Sequence, residues 1–600
     1  MLDDAGIIVV DLETYDPLLT SMGSGVYRKD CMILGAAVVS DSGFRKYYDL
    51  GHKGCSTETK QKSLGALREI LSNKVPKLGH NFLYDLDMLI NLEGLEVNGV
   101  WEDTQIRESL LDAYASHYDL DTLSKKYGGV GKRTNKVEQI CERNGWKGAP
   151  QTHLYKMTAD DVADYALGDG DATLFVWERQ KERLEAEGLL DLYSIECRLL
   201  KPLLRMKSLG IRVDRQKRKQ VSDTLHQEYN SKMKAFASQY GAVNINSTGD
   251  LTRVFKIAGV PIAMTDKGNP SFAHDVLIGI DHPVAREILD IRGIKTVLNN
   301  YVDGAFVEHD VGGRIHATFY PVVRDEGGTV TGRFACRNPN LQQVPSKEEK
   351  HGPLIRQIFI PEEDHVYFKI DYSQIEYRIL AHYAIGPGAV EIKNRFLNNP
   401  QTDYHQYVMD MSGLDRKHAK NLNFGTVYCM GPKTMSAKFG WSIEHSKELS
   451  EQYFEAMPFV KPTRDLIIDK AKMRGYVKTI LGRRARLTDS MRTRAGQRGK
   501  EYKLVNYLIQ GSAADIMKAS MVASYEAGIF DVMPCHLTVH DELGNSMPRT
   551  REGLEAAAEL KRIMENTVKL TVPVIADPEI GPNWGECSES NLTDYLEKKL

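Results

Sequence analysis

The chain has 600 residues, of which 42% are hydrophobic and 26% charged, with a formal net charge of -3. That length exceeds what one hydrophobic core fills, so two or more domains are expected, and the composition excludes a disordered chain. The near-neutral balance gives no sign of a nucleic-acid partner, so any basic surface has to be local.

The eight cysteines (31, 55, 141, 197, 336, 429, 535 and 587) have no paired spacing, which fits reduced thiols in a reducing compartment rather than a disulfide framework or a zinc site. The opening MLDDAGIIVVDLET begins with acids and turns into a strand, unlike a signal peptide. No apolar run approaches the roughly 20 residues that span a bilayer. His-Asp-Glu-Leu at 540–543 is internal and cannot act as a retention tail. A soluble protein of the cytoplasm (the host's, if the source is viral), without a membrane partner, is the expectation.

In chain order, residues 7–10 and 32–40 read as buried strands, and helical patterns alternate with short strands to about 185, predicting an α/β domain. A glycine-rich loop, GGVGKRT from Gly128, invites a phosphate-loop reading. It lacks the first glycine at the required spacing, and Arg133 stands where Ser or Thr should follow the lysine, so it is read as a plain loop. Residues 177–188 predict an exposed helix leading out of the domain, and 189–301 are mainly helical. The remainder mixes helices with a few strands, notably 366–371 and 537–540. Between 469 and 503 lie twelve basic residues, among them Lys470, Arg483, Arg484, Arg486, Arg492, Arg494 and Arg498, against three acidic ones. A solvated face and a duplex or polyphosphate partner are equally good readings of that run.

Three segments of the first domain carry acids in a chemical pattern. Asp11 and Glu13 stand two apart at a strand end, so both carboxylates project from one face; alone, they are equally a solvated terminus. Asn81-Phe-Leu-Tyr84-Asp85 adds a third acid, and Tyr165-Ala-Leu-Gly-Asp169 a fourth, with Tyr165 and Asp169 one helical turn apart. Four gathered carboxylates without matching bases repel one another unless cations hold them. Hard oxygen donors suit magnesium or manganese, and two such ions activate a water and stabilise the leaving oxygen of a phosphodiester. The nearby Asp87, Asp164 and Asp171 are read as structural or surface acids.

A second set follows. Asp371-Tyr-Ser-Gln374-Ile-Glu376-Tyr-Arg378 leaves an apolar strand for a helical pattern, and His540-Asp541-Glu542 ends another strand. Each acid alone is a strand-end carboxylate; together they suit two ions for phosphoryl transfer. Between them, Arg416, Lys420, Phe424 and Tyr428 recur every four residues, a slowly rotating helical stripe roughly 18 Å long. Two cations then two rings match the outline of a nucleoside triphosphate.

The first three segments resemble the motifs of the DEDD exonucleases with a tyrosine in the third. That likeness implies a ribonuclease H-like α/β fold, Asp11, Glu13, Asp85 and Asp169 as metal ligands, and Tyr165 orienting the attacking water. From about Tyr193 the chain resembles the family A, bacterial DNA polymerase I-like, polymerases, implying an α+β right hand of palm, fingers and thumb. The resemblance implies Asp371 and Asp541 as metal ligands with Glu542 in a lesser role, and Glu376 under the sugar, excluding a 2′-hydroxyl. It implies Arg416, Lys420, Phe424, Tyr428, Gln374 and His405 around the incoming dNTP. Thr331-Gly-Arg333 with Asn338-Pro-Asn340-Leu-Gln342-Gln343 resembles the segment holding primer-template DNA, and Asn506, Gln510 and His540 resemble duplex contacts. Such contacts to phosphate and minor groove imply sequence-tolerant, salt-sensitive binding.

Departures are specific. Tyr502 stands where the family has an arginine, with Lys503 beside it, and Cys429 replaces a glycine after Tyr428. Phe424 resembles the version that discriminates against nucleotides lacking a 3′-hydroxyl. Nothing precedes the exonuclease, so the separate 5′ nuclease of some relatives is not expected. No long insertion lies between 214 and 301. The layout resembles bacteriophage replicative enzymes, which work with other replication proteins. The expected domains are 1–188 (exonuclease), 189–300 (thumb), 301–385 (palm), 386–504 (fingers) and 505–600 (palm again), with Mg2+ or Mn2+, two ions per site. The alternatives are a single-subunit RNA polymerase, a nuclease with a relic second domain, and a catalytically silent DNA-binding subunit.

Overall fold

The computed structural model describes residues 4–129, 131, 135–265, 267–325, 328–346, 349–492 and 499–589. Part of the loop after Gly128, and Arg494 and Arg498, lie outside the described residues. The N-terminal part is built on a five-stranded sheet. Its strands are β1 (Ile8–Tyr15), β2 (Met32–Ser40), β3 (Arg45–Asp49), β4 (Lys77–Gly79) and β5 (Trp101–Asp103), in the order β3-β2-β1-β4-β5. β1 pairs antiparallel with β2 and parallel with β4. Ile8, Val9 and Val10 are fully buried, as the sequence predicts, but the strand runs five residues past Val10. Asp11 and Glu13 therefore lie within it rather than at its end. The ladder holds because the two acids alternate onto one face while Leu12 packs on the other, and it shifts register only after Glu13.

Two helices bring the other acids to this sheet. Helix α1 (Phe82–Asp87) starts at Asn81, whose φ of 59° is left-handed. Helix α2 (Ala159–Ala186) starts with a capping box between Thr158 and Asp161. It is one continuous helix of 28 residues, so the expected exposed helix at 177–188 is its last third. That part is not uniformly exposed, since Gln180 and Leu184 are fully buried. Val39 fits against Gly170, where a Cβ would collide with it, letting α2 approach β2 closely.

Helix α3 (Leu190–Leu209) joins the two halves. Leu192, Cys197, Leu200 and Leu204 pack into the core of the N-terminal sheet, whereas Leu199, Leu203 and Met206 belong to the larger core of the remainder. Helices α4 (Arg215–Tyr240) and α5 (Pro283–Val297) enclose a separate small core around Phe236, Phe255, Phe272 and Ile288. The second large sheet comprises β6 (His365–Tyr372), β7 (Cys535–Val539), β8 (Glu542–Pro548) and β9 (Ala576–Gly581). Its order is β7-β8-β6-β9, all antiparallel, with β6 central. Helix α6 (Ile375–Tyr383) leaves β6, α7 (Arg416–Val427) carries the basic-aromatic stripe, and α8 (Lys503–Glu526) is buried along most of its length.

The basic run at 469–503 divides: Lys472, Arg474, Lys478, Arg492, Lys500 and Lys503 are exposed, whereas Arg483, Arg484 and Arg486 are used inside the protein. Arg483 is buried between Glu196 and Asp515, and Lys518 reaches the same Glu196 at 2.7 Å. Arg484 and Arg486 both hold Glu187, at 3.2 and 2.6 Å, and Arg486 also donates to the Leu111 carbonyl at 2.8 Å. These cations tie the second half of the chain to the N-terminal half. Lys470 remains exposed.

Asp87 joins the halves from the other side. It is fully buried, pairs with Lys207 of α3 at 2.7 Å, and accepts from Tyr27 at 2.8 Å and Asn91 at 2.9 Å. Burial pushes its carboxyl up, but Lys207, Asn91 and Tyr27 outweigh this and hold it below the usual range. Breaking such a pair by Asp87→Asn is expected to cost about 3–5 kcal/mol, read as a lower denaturant midpoint. A carboxyl depressed in the folded state contributes fully above its unfolded value, near pH 4, and the contribution is lost as pH falls through the folded value. The gap between wild type and variant should therefore narrow from about pH 7 to about pH 3; a gap that is absent at neutral pH would show that the joint does not depend on this pair.

Candidate active sites

In the N-terminal site the predicted residues converge. Oxygens of Asp11, Glu13 and Asp169 all lie within 4.8 Å of one another. Two full negative charges at that spacing repel by about 3 kcal/mol at an effective dielectric near 20. Asp85 joins from α1, where its Oδ1 accepts from the Leu12 amide at 3.1 Å. Burial, reinforced by Asp11, pushes the Asp85 carboxyl well above the usual range. Tyr165 and Asp169 both sit on the face of α2 that covers the sheet, each buried. The acids read as bystanders fall outside: Asp87 is the structural pair above, Asp171 is held by Arg45 at 2.6 Å, and Asp164 is exposed.

The second site forms at the centre of the four-stranded sheet. Val539 and Glu542 pair across a two-residue turn in which His540 takes a left-handed φ of 58°, setting Asp541 at the tip. The Tyr372 amide donates to the Asp541 carbonyl at 3.2 Å, so the segments bearing Asp371 and Asp541 touch. Burial, with Asp541 and Glu542 adding, pushes the Asp371 carboxyl well above its usual range. Burial and Glu376, opposed by Arg333, push Asp541 up to about 6. Protonation is thus favoured where no cation compensates, and the donor set of hard oxygens fits divalent ions.

Register also reveals Lys369 and Asp577, which no motif signalled. Asp371 lies opposite Glu542 on one side and Asp577 on the other, all on one face of the sheet. Two residues along, Lys369 contacts Glu579 at 3.0 Å and Glu542 at 3.4 Å. Trp584 donates its indole N–H to Glu542 at 2.7 Å, and the Arg356 guanidinium stacks on that indole at 4.1 Å. Both Glu542 oxygens are therefore engaged by neighbours. Only the strand pairing could have exposed this, because Lys369, Asp577 and Trp584 are separated by up to 215 positions of chain.

Around this sheet the remaining predicted residues take distinct places. Glu376 accepts from both Arg333 and the Tyr428 hydroxyl, and Gln510 of α8 also bonds that hydroxyl. Asn506, one turn earlier on α8, has a buried Oδ1 with no hydrogen-bond partner among the described residues. His540 is exposed beside Arg333. The Gln374 amide is used locally, accepting from the Tyr404 amide at 2.8 Å and donating to Thr402 at 3.3 Å, which fixes the approach to His405. His405 in turn bonds Asn423 of α7 at 3.1 Å. Arg416 is tied to Asp403 at 2.6 Å. Asn340 caps its own short helix through the Gln342 amide, and Gln343 is exposed.

His405, Arg416 and Lys420 line a cleft of about 860 Å3 whose opposite wall is Asp290, Lys350 and His351. The side chain of Phe424 lies outside the described residues. Helix α7 ends at Val427, so Tyr428 stands just beyond it rather than within the stripe. Cys429 takes a φ of 62°, the left-handed region where glycine is unstrained and a side chain costs about 1–2 kcal/mol. That accounts for what the missing glycine would have done. Tyr502 and Lys500 line a second cleft with Tyr428 and Cys429, and Lys503 is exposed. Among the described residues, no helix is long and apolar enough to cross a membrane.

Comparison with known proteins agrees with this geometry. DNA polymerase family A matches residues 215–586, and a 3′–5′ exonuclease family matches residues 51–185. The chain is 28% identical over 642 residues to DNA polymerase DpoZ of Salmonella phage PMBT28, covering 98% of each. It is 28% identical over 614 residues to DNA polymerase I of Pseudomonas aeruginosa, covering 98% of this chain and 64% of that one. Among solved structures, the POL domain of Pol1 from M. smegmatis, in complex with DNA primer-template and dNTP, shares the fold. Its TM-score is 0.78 at 24% identity, over 96% of this chain and 95% of that one. With its second half matched throughout and its acids gathered in two places, the chain belongs to DNA polymerase family A and is a DNA-directed DNA polymerase with a 3′–5′ exonuclease domain.

Proposed function

We propose that the chain extends a primer on a DNA template from dNTPs at Asp371 and Asp541, and trims mispaired 3′ ends at Asp11, Glu13, Asp85 and Asp169. A role in genome replication, beside other replication proteins in the cytoplasm of the cell where its genome is copied, goes with this reading. The division is exonuclease 1–188, thumb 189–300, palm 301–385 and 505–600, and fingers 386–504. The observation that supports the polymerase assignment is the meeting of the segments bearing Asp371 and Asp541, both with carboxyls raised by burial.

Two magnesium or manganese ions per site, when bound, supply charge neutralisation and an activated oxygen nucleophile. Asp371 and Asp541 would hold them in the polymerase, and Asp11, Glu13, Asp85 and Asp169 in the exonuclease. Glu542 acts beside the first pair as a fixed charge, held by Trp584 and Lys369. Arg416, Lys420 and His405, on one wall of the large cleft, receive the triphosphate. Tyr428, Phe424 and Gln374 border the base and sugar. Glu376, fixed by Arg333 and Tyr428, is the floor beneath the sugar and leaves no room for a 2′-hydroxyl. Arg333, Asn340, Gln343, Asn506, Gln510 and His540 contact primer-template DNA; the unpartnered Asn506 oxygen supports this. In the exonuclease, Tyr165 orients the attacking water.

A labelled primer-template tests both halves. Asp541→Asn should abolish extension and spare shortening, whereas Asp11→Ala should abolish shortening and leave extension intact; full extension by the first variant would end the polymerase assignment. Glu376→Ala should raise incorporation of ribonucleotides relative to deoxynucleotides by at least about tenfold, or roughly 1.4 kcal/mol of discrimination. An unchanged ratio would remove Glu376 from sugar selection.

A further inference from the structure

Beside the exonuclease carboxylates the sheet carries a tyrosine that neither the motifs nor the reading above employs. In the β1–β2 ladder Asp11 lies opposite Ala37 and Glu13 opposite Gly35; in the β2–β3 ladder Ala37 lies opposite Tyr47 and Gly35 opposite Asp49. Asp11, Ala37 and Tyr47 therefore form one row across three strands, and their side chains share the face covered by α2. The two residues between Tyr47 and the acids are the smallest available. A Cβ built on Gly35 would overlap the hydroxyl end of the Tyr47 ring, so the ring lies along a trough over Gly35 with its tip toward Glu13. Tyr47 packs in the same cluster as Ala37, Tyr165 and Ala166. Burial raises the phenol's pKa well above its usual value, and Glu13 is the strongest of the neighbouring charges that add to the effect.

The hydroxyl of that ring is locked. It lies 2.6 Å from Nε2 of His52, a residue 3% exposed, and Nδ1 of His52 faces the Leu154 carbonyl at 3.2 Å. A carbonyl only accepts, so Nδ1 carries the imidazole proton and Nε2 accepts from the tyrosine. Burial lowers the His52 pKa, which keeps the ring neutral and this donor order fixed. Leu154 belongs to the turn that leads into α2, and the next backbone bond, Lys53 amide to Met157 carbonyl at 3.0 Å, ties the His52 loop to the same turn. The chain of contacts thus runs from the α2 lead-in through His52 and Tyr47 to the seat opposite Glu13.

We propose that Tyr47, locked by His52 and seated over Gly35, is a positioning residue of the exonuclease that fixes Glu13 and Tyr165 relative to each other. It rests on the assignment of Glu13 and Tyr165 to the trimming reaction. Its contribution falls on the reaction step, because the ring lies behind the carboxylates within the sheet-helix layer. Misplacement of reacting groups by fractions of an ångström lowers turnover more than it lowers strand affinity.

The test uses the full-length chain, a single-stranded oligonucleotide for trimming and a primer-template for extension, with Tyr47→Phe, His52→Leu, their double variant and Gly35→Ala. Tyr47→Phe is expected to lower the trimming kcat about tenfold with KM within twofold and the extension rate unchanged. The double variant should lose no more than the larger single loss, since both act through one contact. Gly35→Ala, which keeps every hydrogen-bonding group and only fills the seat, should give a loss of similar size even if His52→Leu fails to fold. Wild-type kcat in both Tyr47→Phe and Gly35→Ala overturns the proposal, as does a rise in KM at unchanged kcat. Asp11→Ala, run alongside, separates the two levels: if it leaves trimming intact, the site assignment itself is wrong; if it abolishes trimming while Tyr47→Phe does not slow it, only the role of Tyr47 falls.

Discussion

Carboxylates crowded together at two places oppose one another, and much of the architecture exists to hold them. Three oxygens within 4.8 Å in the exonuclease, and Asp371 flanked by Glu542 and Asp577 with Asp541 at the next turn, are each opposed by electrostatic repulsion and by burial. Flexible loops would let such groups spread apart. Asp11 and Glu13 instead stand on β1, laddered to β2, with Asp85 and Asp169 brought to them on α1 and α2, and Asp371 stands on β6 between β8 and β9 with Asp541 at the β7–β8 turn.

The two sites spend their compensating charge differently. At the second sheet Lys369 and Trp584 satisfy Glu542, while Asp371 and Asp541 stay raised by burial despite Lys369 and Arg333. In the N-terminal site the backbone contributes: the Leu12 amide serves Asp85. Arginines that composition would have assigned to a DNA surface are consumed elsewhere. Arg483 is buried with Glu196 and Asp515, and Arg484 and Arg486 hold Glu187. Such buried pairs specify how the halves meet, since removing one partner strands the other without solvent.

The end of α7 shows a smaller accommodation. Helix α7 stops at Val427, and Cys429 turns the chain through a left-handed conformation that a glycine would adopt without strain. The turn carries Tyr428 onto Glu376, where Arg333 already sits. One carboxylate therefore connects the turn after α7, the segment around Arg333 and helix α6.

Much of this was present in the residues themselves. Asp11, Glu13, Asp85, Tyr165 and Asp169, and Asp371 and Asp541, were legible because each lies in a short segment whose periodicity sets a face, and the segments follow a familiar order. Strand and helix types around them followed from alternation and from the spacing of apolar residues. The extent of β1 did not, because acids inside a strand look like its end until a covering helix is known. Nor did the partners of Arg483, Arg484 and Arg486, the row formed by Asp371, Glu542 and Asp577, or the seat of Tyr47 over Gly35. Those depend on register between strands and on contacts across hundreds of residues, where a shift of one position sends every side chain to the opposite face. Local chemistry is written in neighbouring residues; which charges meet is decided only when distant segments pack.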